Sequence, residues 1–182
     1  MTDEPRSGCP INLSLEVIGD RWSLIVLRDI IFGGKRHFND LVRRSEEGIT
    51  PKTLTDRLAR LEAAGLVTRS PDPEHKQRSI ISLTEAGIAL LPVLVALTNF
   101  GLEHLPVAPR FLGRSRAIRA GGDAFITAFT AELRAEHLGA PAPPHKPTIR
   151  ARLTEAAKLT DVAEADSFPY DSRKTSRGDH DD

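Results

Sequence analysis

Thr50-Pro51 leaves this chain less conformational choice than any other point in its sequence. A threonine hydroxyl can accept from the free N–H groups of a helix's first turn, and a proline at the first helical position gives up no donor the helix needs. A helix therefore begins here. Leu54, Leu58 and Leu61 then fall on one side, with Lys52, Thr53, Asp56 and Arg60 on the other, until Gly65 follows Ala64 and ends the run. Such a helix needs a core beneath its leucine side, which the flanking segments have to supply.

Upstream, Ile11 to Ile18 suits a short helix with Leu13 and Val17 near one face. From Ser23, read as a cap, Leu24, Ile25, Leu27, Ile30 and Ile31 carry a broad apolar face to Gly33-Gly34. Trp22 reads as core packing. Phe38 to Arg44 is a two-turn helix with Phe38, Leu41 and Val42 inward. Downstream, Leu66 to Ser70 and Ser79 to Leu83 read as strands of a hairpin around the polar loop Pro71 to Gln77. Thr84 to Leu105 then reads as one helix with a kink at Pro92. It is apolar round most of its circumference, which implies one face on its own core and another on a partner chain.

Beyond Pro106 to Pro109 a linker is expected, then a helix best placed from Asp123, with Phe125, Ile126, Phe129 and Leu133 on one face. Gly139 to Pro147 carries four prolines and separates an amphipathic segment, Thr148 to Leu159, from a polar, acidic end. The expected fold class is mainly α with a small β-hairpin, a winged helix-turn-helix plus a C-terminal helical extension. The boundaries that follow are a disordered 1–8, a DNA-binding domain over 9–106 and a helical extension over 107–140. Residues 141–182 complete the chain as Pro-rich linker, short helix and disordered acidic tail.

The composition narrows the function. With 40% hydrophobic and 27% charged residues the chain is globular in character, and aromatics at 5% argue against a stacking platform for single-stranded RNA. The zero net charge hides an uneven distribution: Asp20 to Ile80 holds 12 Lys/Arg against 9 Asp/Glu, whereas Thr160 to Asp182 holds 3 against 7. The single Cys9 excludes an intramolecular disulfide or a multi-cysteine zinc motif and fits a reducing compartment. No signal peptide and no run of about 20 apolar residues is evident, so the expectation is a cytoplasmic protein with no membrane partner. There is no glycine-rich phosphate loop, no Gly-x-Ser-x-Gly elbow and no His-Glu-x-x-His, and the six histidines are scattered. Neither enzymatic chemistry nor a cofactor or metal is expected.

In a winged helix-turn-helix the capped helix enters the major groove and the hairpin loop lies along the backbone. Lys52 sits where a cation opposes the helix dipole, a placement that makes sense beside a phosphate. The candidate DNA-binding residues are Thr50, Pro51, Lys52, Thr53, Arg57 and Arg60 on the helix and His75, Lys76 and Arg78 at the wing. Arg57 lies nearer the apolar edge, where an internal salt bridge competes with a phosphate contact. The alternative is a winged helix used only to bind proteins, which would not require a capped helix with exposed Lys52 and Arg60.

Six motifs occur in order: Cys9-Pro10; Val17-Ile18-Gly19-Asp20-Arg21-Trp22-Ser23-Leu24; Phe38-Asn39-Asp40-Leu41; Ile49-Thr50-Pro51-Lys52-Thr53-Leu54-Thr55-Asp56-Arg57-Leu58; Glu62-Ala63-Ala64-Gly65-Leu66-Val67; and Leu83-Thr84-Glu85-Ala86-Gly87. Over Cys9 to about Pro106 this set resembles the HxlR family of bacterial transcription regulators. The resemblance implies a homodimer built from the first and last helices of the domain, bound to an inverted-repeat operator in double-stranded DNA. Leu13, Val17, Leu90, Leu94 and Leu97 are the interface residues expected on that basis, and repression is the expected output. Some members sense electrophiles or oxidants through a cysteine in the place of Cys9, which makes Cys9 a candidate redox sensor, with an unremarkable thiol as the alternative. The effector, small molecule or redox, stays open. At the wing the family usually carries a Pro-Pro-Arg-Val-Glu-Tyr type run, of which only Arg78 carries over. The stretch after Pro106 is longer than the minimal family member needs, and the family pattern assigns it no role.

Overall fold

The computed structural model describes residues 7–75 and 77–161. Lys76, the first six residues of the segment expected to be disordered, and the acidic tail from 162 onward lie outside the described residues.

The elements run α1 (Pro10–Ile18), α2 (Arg21–Ile31), α3 (Phe38–Arg43), α4 (Pro51–Ala63), β1 (Val67–Pro71), β2 (Ser79–Leu83), α5 (Glu85–Ile88), α6 (Leu91–His104), α7 (Pro109–Leu138) and α8 (Ile149–Asp161). The two strands pair antiparallel, from Val67 opposite Leu83 to Pro71 opposite Ser79. The hairpin is tied back to the start of α3 by the Ile81 N–H, which donates to the Arg36 carbonyl at 2.8 Å. Gly65 takes φ +69°, the left-handed turn that frees the chain from α4 into β1. Gly87 is required for a different reason: a Cβ there would stand 2.1 Å from the Leu66 carbonyl oxygen.

Three local expectations are corrected. Asp20, not Ser23, caps α2: its carboxylate accepts the Ser23 N–H at 3.0 Å, and the Ser23 side chain is buried inside the helix. The expected single helix from Thr84 is two, because α5 ends at Ile88 and α6 restarts at Leu91 with Pro92 in its first turn, where the ring costs no hydrogen bond. The segment expected as a linker before Asp123 is helical from Pro109, and α7 breaks at Gly122, whose φ of 51° and ψ of −141° suit only glycine.

One apolar cluster runs through the described residues. Leu27, Ile30 and Ile31 of α2 meet Leu54, Leu58 and Leu61 of α4, Ile81 and Leu83 of β2, and Ile88 and Leu91. Phe129 and Leu133 of α7 and Ile149 and Leu153 of α8 belong to the same cluster. Each fully buried leucine contributes about 2 kcal/mol of transfer free energy, so the two C-terminal helices are joined to the rest by the force that holds α2 against α4. Arg150 adds a polar stitch, donating to the Ile31 carbonyl at 3.0 Å and pairing with Glu136 at 2.6 Å.

Glu85–His104 is, by length and composition alone, apolar enough to cross a membrane. That revises the expectation that no such run exists. In the fold the stretch is broken around Leu90, and Leu91, Leu94 and Val95 seat one side of α6 in the core.

Candidate nucleic-acid interface

The start of α4 is built as its sequence dictates. The Thr50 hydroxyl accepts the Thr53 N–H at 3.2 Å and lies 2.9 Å from the Thr53 hydroxyl. Pro51 follows as the first helical residue. Leu54, Leu58 and Leu61 are buried, which turns Pro51, Lys52, Thr55, Asp56 and Arg60 to solvent. The side chains of Lys52 and Arg60 make no hydrogen bond or ion pair with any described residue. An exposed cation beside the open N-terminus of a helix, with no acid to hold it, is free to meet an anion.

Arg57 is placed differently. Its guanidinium pairs with Asp20 at 3.4 Å across the seam between α2 and α4, and its Nε is buried without a partner. Ser23 and Arg57 together hold the Asp20 carboxyl below the usual carboxylate range, against the opposing effect of burial. Of the two fates open to Arg57 from sequence, the internal salt bridge is the one observed.

At the wing, a chain of backbone bonds closes the turn: Asp72 N–H to the Arg78 carbonyl at 2.9 Å, and Arg78 N–H to the His75 carbonyl at 2.8 Å. Asp72 is the brace. Its carboxylate accepts the Glu74 N–H at 2.9 Å and faces His37 Nε2 at 3.1 Å, so the turn is fastened to the residue before α3. Those partners, the Glu74 N–H first, hold its carboxyl below the usual range. His75 and Arg78 are both exposed to solvent at this hairpin. Behind them Arg36 donates to the Ser82 hydroxyl at 2.6 Å and to the Glu136 carbonyl at 3.1 Å, linking the hairpin to α7. His37, Asp72 and Arg36 were not among the residues expected from sequence. An aspartate before a proline in a turn was a signal for Asp72, whereas nothing local marked the other two.

Cys9 stands at the cap position of α1, exposed, with the N–H groups of Asn12 and Ile11 drawing its thiol below the ordinary cysteine value. On the same helix Ile11, Leu13, Leu15 and Val17 are exposed, as are Val93, Leu97 and Phe100 on α6. Two expected interface residues need revision. Leu94 is only 6% exposed because it turns into the chain's own core, and Leu90 is half-buried against that core. Leu97, at 48%, lies on the uncovered side of α6. Among the described residues no cluster of three or more histidine, cysteine or acidic side chains is arranged to hold a metal ion.

Comparison with known proteins is consistent with this geometry. The pattern of the HxlR-like helix-turn-helix family matches residues 17–108. An uncharacterized HTH-type transcriptional regulator of Mycobacterium tuberculosis is 39% identical over 99 residues, which are 54% of this chain and 61% of that protein. The chain thus spans less than two thirds of that relative's length. Another uncharacterized HTH-type transcriptional regulator, YybR of Bacillus subtilis, is 36% identical over 102 residues, 56% of this chain and 80% of its own length. Among solved structures, PA1607, a candidate transcription factor, superposes with a TM-score of 0.51 at 33% identity, covering 57% of this chain and 70% of that one.

Proposed function

The chain belongs to the HxlR-like helix-turn-helix family, and on that footing we propose that it is a cytoplasmic transcription regulator. In this reading it binds an inverted-repeat operator in double-stranded DNA as a homodimer and represses by occupying it. The observation that carries the reading is the start of α4, where Thr50 caps the helix and Lys52 stands exposed with no partner among the described residues. Helix N-termini favour phosphate, and the first residues of such a helix reach base edges in the major groove. His75 and Arg78 on the braced wing supply a second set of contacts to the backbone.

The dimer is supported by the apolar residues that α1 and α6 leave uncovered. Pairing these faces by two-fold symmetry removes them from water and sets two α4 helices about 34 Å apart, one turn of duplex. A second copy suits this face better than lipid, since one side of α6 is already seated on protein. Cys9, at the start of α1, is the thiol through which an oxidant or electrophile would act on that face.

Salt titration of duplex binding tests the proposal. A regulator that neutralises several phosphates loses affinity steeply as salt rises and retains preference for one sequence over random duplex. Absence of duplex binding at low salt would return the fold to the class of winged helices that bind only proteins.

A further inference from the structure

A cleft of about 880 Å³ lies between α2, α6 and α7, within the size range of small-molecule sites. Leu24, Phe32, Leu97, Phe111 and Ile118 give it apolar walls, and cations outnumber carboxylates six to three among the residues that line it. Most of the deeper charges are matched. Arg28 pairs with Asp29 at 2.7 Å and with Glu47, Lys35 pairs with Asp29 at 2.7 Å, and Arg150 pairs with Glu136 at 2.6 Å.

Arg114 is the exception. It makes no hydrogen bond or ion pair with any described residue, and its guanidinium lies 5.8 Å from the centre of the Phe32 ring. Burial works most against its charge and Arg28 and Arg150 repel it, while Asp29, already paired with Arg28 and Lys35, is the one acid that attracts it. Holding a cation partly out of water with no counter-charge of its own is costly, and an arriving anion removes much of that cost. The turn Arg43–Glu47, which leads into Thr50, also lines the cleft. That turn is fastened by the Ile49 N–H donating to the Ser45 hydroxyl at 3.1 Å and by Lys35 donating to the Arg44 carbonyl.

We propose that this cleft is an effector site for a small organic anion, a carboxylate carried on an apolar body, with the carboxylate on Arg114 and the body between Phe32, Phe111 and Ile118. Its occupant touches both the C-terminal extension and the turn that sets the position of α4, so occupancy biases DNA binding. The regulatory half of this inference rests on the DNA-binding reading above, whereas the binding half does not.

The experiment separates them. Thermal unfolding and calorimetric titration of the full chain are followed with naphthoate and octanoate, with naphthamide as the neutral counterpart of naphthoate. The expected result is saturable stabilisation by a carboxylate and not by the amide, with binding weakened about tenfold or more in Arg114→Met, the loss expected for one charge-assisted contact. Saturable binding of the amide as tight as that of the acid, or no saturable binding of either carboxylate, overturns the site. The comparison of acid with amide in the wild-type chain holds even if Arg114→Met folds poorly. Duplex affinity is then measured with and without the carboxylate. Carboxylate binding that leaves duplex affinity unchanged overturns the regulatory half alone.

Discussion

Nδ1 of His137, on α7, accepts the backbone N–H of Leu83 at 3.2 Å, at the end of β2. The C-terminal extension thus closes the hydrogen-bonding of the wing's second strand with a fully enclosed imidazole. Because Nδ1 accepts, the ring is neutral with its proton on Nε2, which is buried without a hydrogen-bond partner, 3.9 Å from Glu136 Oε2. Burial is the main reason its pKa falls to about 4, with Arg36 and Arg150 acting in the same direction and Glu136 opposing them.

A pH dependence of stability follows. Between the unfolded histidine value near 6.5 and the folded value of about 4, the unfolded chain binds the proton more readily. The stability present above the upper value is therefore lost progressively as pH falls through this window, by on the order of 3 kcal/mol once pH is below the folded value. Urea unfolding compared at neutral and mildly acidic pH measures it. His137→Gln should flatten the difference. An unchanged pH dependence in that variant means that His137 is not the group responsible.

Lys52→Ala should weaken duplex binding while leaving the unfolding midpoint unchanged, because Lys52 is exposed and holds no partner within the described fold. Removing one phosphate contact lowers the slope of log affinity against log salt by about one unit. Arg57→Ala should behave in the opposite way, lowering stability because Asp20 loses its counter-charge at the α2–α4 seam. Fluorescence anisotropy across a salt series, beside thermal unfolding of both variants, distinguishes the two roles.

These contrasts mark what was readable before the structure. α4 was legible because all its signals are local: cap, proline, leucine spacing and terminating glycine lie within one short segment. The same holds for the hairpin. Ser23 reads as a cap because the apolar pattern begins at Leu24, whereas Asp20, three residues earlier, accepts the N–H of Ser23 itself and starts the helix sooner. Leu94 and Leu97 were indistinguishable on a helix apolar nearly all round; only packing against α2 and α7 decides which one is inside. The first half of α7, rich in Arg110, Arg114, Arg116 and Arg119, has no sustained apolar stripe, and Ile118 ties it to the core. His137 and Arg36 act on partners far away in the chain, which no local pattern can announce.

From sequence, Thr148 to Leu159 is a short amphipathic segment set behind a proline-rich spacer, so truncation after Pro147 is expected to leave the fold intact. The burial of Ile149 and Leu153 changes that expectation. Leu153→Ala should cost about 3 kcal/mol, the transfer term plus that of the cavity left behind. Truncation should cost more, since Glu132 and Glu136 would then lose the Ile149 N–H and the Arg150 guanidinium. Denaturant unfolding measures both, and a truncated chain as stable as the full one would show that α8 is dispensable.

The last prediction concerns assembly. Leu97 and Phe100 stand 48% and 57% exposed on α6, and Ile11 and Leu15 stand exposed on α1. Leaving such a face wet costs a monomer the burial free energy of several large side chains, each about 2 kcal/mol. Placing a charge in its centre removes one of those contributions and adds the cost of desolvating the charge, so Leu97→Glu should shift the chain from dimer to monomer. The variant should still fold, because Leu91, Leu94 and Val95 on the opposite side of α6 keep their places in the core. Specific operator binding should fall far more than the binding of an isolated half-site, since only the paired arrangement engages both halves at once. Size-exclusion chromatography with light scattering decides the assembly, and duplexes carrying one or two half-sites decide its consequence. If Leu97→Glu stays dimeric with unchanged operator affinity, α6 is not the dimer face, and a wild-type chain that is monomeric at micromolar concentration overturns the two-fold arrangement itself.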